Sequence, residues 1–189
     1  MLKKEARKLF KQKRAALSAA EKMKLDDLIL IQFQKINLPF LSLVLSYYPV
    51  DDKGEMNTFI ITDYLRFKNP GLAIAYPKTD RTSNTMEAIV CEEGDEFEQN
   101  SYNILEPVSC EAVDPLSIEM VLVPLLAFDK KGYRVGYGKG FYDIFLQQCS
   151  ADCIKVGLSY FDPIDAIEDA AHFDVPLNLC ITPQKAYVF

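Results

Sequence analysis

Between positions 128 and 143 the chain reads Phe-Asp-Lys-Lys-Gly-Tyr-Arg-Val-Gly-Tyr-Gly-Lys-Gly-Phe-Tyr-Asp. Glycines at the alternate positions 136, 138 and 140 leave the backbone without side-chain walls and free to take positive φ. Successive amide N–H groups can then turn towards one anion, and a helix opening directly afterwards adds its positive end. Lys139 within the loop and Arg134 just before it supply full charges. The combination suits a polyphosphate. It is not a Walker A loop, because Gly138-Lys139 is followed by Gly140 rather than Ser or Thr. It also lacks the glycine offset of the dinucleotide-binding fingerprint.

Other residues join this segment as candidates. Asp143 falls in the first turn of the expected helix, where it either pairs with the helix amino end or ligates magnesium alongside phosphate oxygens. The spacing predicts an amphipathic helix over residues 2–17, with Leu2, Ala6, Leu9, Phe10, Ala16 and Leu17 on one side. Lys3, Arg7 and Arg14 border that apolar face and Lys13 falls inside it, so Lys3, Arg7 and Lys13 need an anionic partner or a route to water. Glu55, in Gly54-Glu55-Met56-Asn57-Thr58, is compatible with either helix capping or ligand binding.

The elements that must position these residues alternate in type. Ser18-Ala19-Ala20-Glu21 is a capping box opening a second helix towards Asn37. Phe40–Tyr48 reads as a strand covered on both faces, 58–68 as a helix, and 72–76 and 86–91 as strands. A further buried run spans 120–127 despite Pro124; 141–149 reads as a helix, and 154–160 and 177–182 as strands. Such alternation predicts an open, mostly parallel α/β sheet with helices on both faces and ligands at the carboxyl ends of its strands.

The chain has 189 residues, 49% of them hydrophobic, which predicts a single domain over 1–189. No segment reads as a signal or membrane-spanning stretch, and the expectation is a cytoplasmic monomer. The five cysteines, Cys91, Cys110, Cys149, Cys153 and Cys180, contain no CxxC pair, and thiol packing is expected, with Cys149 and Cys153 on one helix face. One histidine, His172, rules out a multi-histidine metal site within the chain. The net charge of −6 argues against a general nucleic-acid binder, and Glu92, Glu93, Asp95, Glu96 and Glu98 read as a solvated acidic loop.

Taken together, these segments resemble the 5-formyltetrahydrofolate cyclo-ligase family. The resemblance rests on the basic first helix ending at Ser18, on Glu55–Thr58, on Pro77-Lys78, on the long run Phe128–Asp143 and on His172–Asn178. It implies a three-layer α/β/α sandwich and ATP- and Mg²⁺-dependent closure of 5-formyltetrahydrofolate to 5,10-methenyltetrahydrofolate. ATP would be held by Lys3, Lys4, Glu5, Ala6 and Arg7 and by Arg134, Val135, Gly136, Tyr137, Gly138, Lys139, Gly140, Phe141 and Tyr142. Lys139, Arg134 and Tyr142 would serve catalysis. Val50, Glu55 and the stretch Tyr137–Phe141 would meet the folate, and Asp143 and Asn178 the metal, Asn178 standing where the family has Asp. Two rivals stay open: a small-molecule kinase using the same loop, and a non-catalytic nucleotide- or RNA-binding module.

Overall fold

The computed structural model describes residues 1–80, 82–92, 94–100, 103–108 and 111–189. Glu93 of the acidic loop and Cys110 fall outside them. The elements run α1 (Lys3–Ala15), α2 (Ala19–Phe33), β1 (Leu43–Leu45), α3 (Phe59–Lys68), β2 (Ala73–Asp80), β3 (Thr85–Cys91), β4 (Phe97–Gln99), β5 (Leu105–Pro107) and β6 (Ala112–Val113). They continue through β7 (Met120–Val123), β8 (Ala127–Phe128), β9 (Arg134–Val135), α4 (Phe141–Leu146), β10 (Ile154–Leu158), β11 (Leu179–Ile181) and β12 (Ala186–Val188). Eight strands form the main sheet in the order β12-β11-β10-β7-β1-β2-β3-β6. From β11 to β2 the neighbours are parallel, and β12, β3 and β6 are antiparallel additions at the two edges.

Alternate residues of the parallel strands serve two cores, as a two-residue side-chain period requires. Val44, Ile74, Met120, Leu122 and Val156 pack with Ile29 and Phe33 of α2 and Ile61 and Leu65 of α3. Leu45, Ala75, Val121 and Val123 pack on the opposite face with Phe145 and Leu146 of α4. The expected three layers result. The helix α1 stands apart from these, seating Ala6 and Phe10 on Leu126, Ala127 and Val135 around the β8–β9 hairpin.

The capping box opens α2 as expected, with Ser18 Oγ accepting Glu21 N–H at 3.2 Å and Glu21 accepting Ser18 N–H at 2.8 Å. The helix stops at Phe33, short of Asn37. Phe40–Tyr48 contributes only Leu43–Leu45 as strand, because the chain beyond turns so that Tyr47 and Tyr48 line a cleft. The 120–127 run breaks at Pro124, which has no N–H to give a ladder, and its end pairs with Arg134–Val135. Helix α4 also ends early, so Cys149 and Cys153 share no helix; Cys153 is buried beyond a turn closed by its N–H on Ser150 O at 3.0 Å.

Lys13 is the clearest correction. It is exposed, and Arg14, expected at the border, is 4% exposed. Ala6, Phe10 and Arg14, spaced four apart, define the inward row and rotate Lys13 outwards. The Lys13 ammonium instead lies 5.0 Å from the Phe10 ring and 5.8 Å from that of Phe161. Among the described residues no helix is long and apolar enough to cross a membrane.

At Gly157, in the centre of β10, an added methyl would sit 2.5 Å from Leu125 Cδ2 and 2.7 Å from Leu177 Cδ1. Gly157→Ala should therefore lower stability by about 1–3 kcal/mol through overpacking. A urea midpoint unchanged from the parent would contradict this packing.

Candidate functional site

A cleft of about 440 Å³ opens where β1, β2 and β7 end at their carboxyl side, within the usual range for small-ligand sites. One wall is the glycine-rich loop and the segment before it. Asp129, 1% exposed, shapes that segment: its carboxylate accepts Lys131 N–H at 2.9 Å, Tyr133 N–H at 3.0 Å and Ile167 N–H at 3.0 Å. These bonds fold 129–133 into a tight turn, closed by Gly132 at φ 85°, and deliver Arg134 to the cleft. Arg134 donates to Asp143 Oδ1 at 2.9 Å and to Val175 O. Burial pulls its guanidinium below the usual arginine range, and Asp143 opposes that pull.

Two glycines of the loop use the conformations that their type permits: Gly138 has φ 91° and Gly140 φ 79°. Gly136, equally free to do so, does not. Arg7 Nε donates to Gly136 O at 2.9 Å, and the α-carbon of Gly138 faces the same guanidinium so closely that a methyl there would lie 3.2 Å from Arg7 Cζ. Lys3 reaches Asp174 at 2.5 Å beside the loop, and Lys139 is exposed on its lip. Helix α4 has only 6 residues. The positive character of this wall therefore comes mainly from Lys3, Arg7 and Lys139 rather than from a helix dipole.

The floor is phenolic and carries one carboxylate. Glu55 Oε1 accepts from the Tyr137 hydroxyl, and its Oε2 accepts Val50 N–H at 3.0 Å. Burial pushes the hydroxyls of Tyr47, Tyr137 and Tyr142 well above the ordinary phenol range, and the Glu55 charge adds to each shift. All three are thus held protonated as donors. The Tyr142 hydroxyl is buried and, among the described residues, has no hydrogen-bond partner.

Of the expected site residues, Val50, Glu55, Lys3, Arg7, Arg134, Gly136, Tyr137, Gly138, Lys139, Gly140, Phe141, Tyr142 and Asp143 all line this cleft. Five others are not brought to it. Lys4 and Glu5 are exposed, with Glu5 accepting Leu2 N–H at 3.0 Å, while Ala6 and Val135 are core residues. Asn178 precedes β11 at the amino end of the sheet, far from the strand ends that form the cleft, and its amide oxygen accepts Lys155 N–H at 2.8 Å. The second carboxylate beside the loop is Asp174. Asp174 lies in a loop without periodicity, and only the Asp-Val-Pro segment marks it in the sequence. Asp129 was legible through its Asp-Lys-Lys-Gly turn signature. His172 is exposed and outside the cleft.

For a hard cation the donor set suits a shared site. Asp143 uses only Oδ1 in its contacts with Arg134 and with Val175 N–H. Among the described residues no three His, Cys, Asp or Glu side chains gather into a metal cluster. Magnesium needs few carboxylates when phosphate and water oxygens complete its shell, and Asp143 beside the glycine loop could meet that demand.

Fold and cleft together define an α/β protein with a cationic loop and a half-buried carboxylate at the carboxyl ends of a mostly parallel sheet. The sequence pattern of the 5-formyltetrahydrofolate cyclo-ligase family matches residues 2–183, and the chain belongs to that family. It is 32% identical over 182 residues to the 5-formyltetrahydrofolate cyclo-ligase of Mycoplasma pneumoniae, covering 94% of this chain and 96% of that one. The mouse 5-formyltetrahydrofolate cyclo-ligase is 31% identical over 150 residues, 74% of this chain and 70% of its own. Among solved structures, the 5,10-methenyltetrahydrofolate synthetase of Aquifex aeolicus superposes with a TM-score of 0.79 at 27% identity, covering 100% of this chain and 93% of that one. The synthetase from Mycoplasma pneumoniae gives 0.76 at 29% identity, over 97% and 99% of the two chains.

The glycines should separate in a stability measurement. Gly138→Ala is strained by its φ of 91° and crowded by Arg7, and should cost about 1–2 kcal/mol. Gly136→Ala, whose nearest new neighbour is Pro124 O at 3.9 Å, should stay within about 0.5 kcal/mol of the parent in urea unfolding.

Proposed function

We propose that this chain, acting as one catalytic unit, closes 5-formyltetrahydrofolate into 5,10-methenyltetrahydrofolate with ATP and Mg²⁺, releasing ADP and phosphate. The observation that carries this reading is the meeting of two recognition elements in one cleft. The cationic glycine loop and the half-buried Glu55 line one cleft, joined by Tyr137. Family membership supports the same substrates.

The formyl group on N5 is an amide whose oxygen does not leave unaided. In the proposed reaction that oxygen attacks the γ-phosphorus of ATP, and the bond to ADP breaks. N10 then bonds to the activated carbon and loses its proton. The carbon–oxygen bond breaks, and phosphate departs as the ring closes. Such chemistry asks the protein for positioning and for charge stabilisation at the transferring phosphoryl. Backbone N–H groups of the loop, Arg7 and Lys139 supply that stabilisation. Arg134 fixes Asp143, which would hold Mg²⁺; when bound, the ion neutralises phosphate oxygens. The buried Tyr142 hydroxyl is a ready donor for the developing oxygen charge. Glu55 accepts the amino and ring N–H groups of the pterin. Each of its oxygens already holds one internal donor, which leaves acceptor capacity for a two-donor edge. A base such as histidine is not required.

Incubation of the pure protein with 5-formyltetrahydrofolate, ATP and Mg²⁺ should produce the methenyl chromophore together with one free phosphate per turnover. A stable phosphorylated product without the chromophore would instead identify a small-molecule kinase. Glu55→Gln should weaken folate binding by about 1–3 kcal/mol, read from titration calorimetry, because the amide presents donors to donors. Asp143→Ala should raise the Mg²⁺ needed for half-maximal turnover at least about tenfold. An unchanged magnesium dependence would remove Asp143 from the metal assignment.

A further inference from the structure

Arg14 is a buried cation that the proposed chemistry does not use. It is 4% exposed, at the last turn of α1, and makes no ion pair within 4.0 Å among the described residues. A charge taken out of water without a paired carboxylate is costly, so its retention needs another compensation. The guanidinium donates to Leu125 O at 2.7 Å and to the Tyr137 hydroxyl oxygen at 3.2 Å, and its Nε is buried without a partner among the described residues. Tyr137 in turn donates its proton to Glu55 Oε1. The phenol thus accepts from the buried cation and donates to the half-buried carboxylate, joining two charged groups that form no ion pair with each other among the described residues. Arg14 and Glu55 act with opposite sign on the Tyr47 and Tyr160 hydroxyls as well.

We infer that Arg14 is the positioning residue for Glu55, acting through Tyr137, and that it sets affinity for the folate rather than for ATP. The inference rests on the reading of Glu55 as the pterin acceptor. A phenol bonded to a cation is a stronger and more directional donor than one free to rotate. With Arg14 present, the Tyr137 proton has one low-energy direction, towards Glu55, and the Val50 N–H fixes the other carboxylate oxygen. The carboxylate then offers a prearranged pair of acceptor edges to its ligand. The Leu125 carbonyl anchors the guanidinium from behind, which ties this arrangement to the end of the central strand β7. Arg7, two turns earlier on the same helix, contacts the glycine loop instead. One helix therefore addresses the two recognition elements with two different arginines.

The test uses the full chain and titrates 5-formyltetrahydrofolate and Mg-ATP separately by calorimetry. Arg14→Met, close in length and apolar, should weaken folate binding at least tenfold and change Mg-ATP binding less than twofold. Arg14→Lys, which keeps a cation and a donor for Tyr137, should recover folate affinity to within threefold of the parent. Tyr137→Phe should weaken folate binding, and Arg14→Met added to it should cause less than a twofold further loss, because both act through one relay. Parental folate affinity in Arg14→Met overturns the inference, as does an equal loss of folate and Mg-ATP binding. If Arg14→Met does not fold, Tyr137→Phe decides: unchanged folate affinity there also overturns it. A parent protein that binds no folate overturns the functional reading and this inference with it, whereas a binding parent with an indifferent Arg14→Met overturns the inference alone.

Discussion

The site depends on one charged contact, that between Arg134 and Asp143. Arg134 leaves the β8–β9 hairpin, Asp143 sits in the first turn of α4, and both bond to Val175, one to its carbonyl and one to its N–H. Three separate segments are thereby closed into a ring around the glycine loop. The Arg134 side chain is 5% exposed, so removing Asp143 leaves an uncompensated buried charge. Such breaks cost about 3–5 kcal/mol in buried pairs generally. The contact is therefore structural before it is chemical: it sets where the loop begins and where its carboxylate points.

The sheet provides the rest by simple geometry. Parallel strands carry all their carboxyl ends to one edge, and the loops that follow β1, β2 and β7 converge there. Glu55 arrives from the loop after β1, and the glycine segment follows the hairpin after β7. Neither is near the other in sequence. The short 2.9–3.0 Å bonds of Asp129 and the docking of α1 supply what the sheet does not, namely the direction in which the loop faces.

Much of this was legible in the chain. The glycine-rich loop at the cleft showed in its spacing, and the layered fold in the alternation of patterns. What escaped was decided by rotation and by partners. A helix face drawn from periodicity was off by one residue, which exchanged the roles of Lys13 and Arg14; a side chain ending in a guanidinium can be buried if carbonyl and hydroxyl acceptors are waiting, and no pattern reveals those acceptors. Asn178 was expected beside the metal by position in a motif, yet the chain reverses between Asp174 and β11, and only the earlier residue stays at the cleft. The short pairs β4–β5 and β8–β9 were missed for lack of length: two- and three-residue strands carry too few alternations to register.

The interlock between the first helix and the loop has a mechanical corollary. Arg7 grips the Gly136 carbonyl, and Gly138 lies flush against the same guanidinium. The loop is thus no free flap: to swing outwards it must either shed that grip or carry the helix along. Any outward movement that keeps the grip is shared with the amino-terminal rod, a part of the chain more than a hundred positions away.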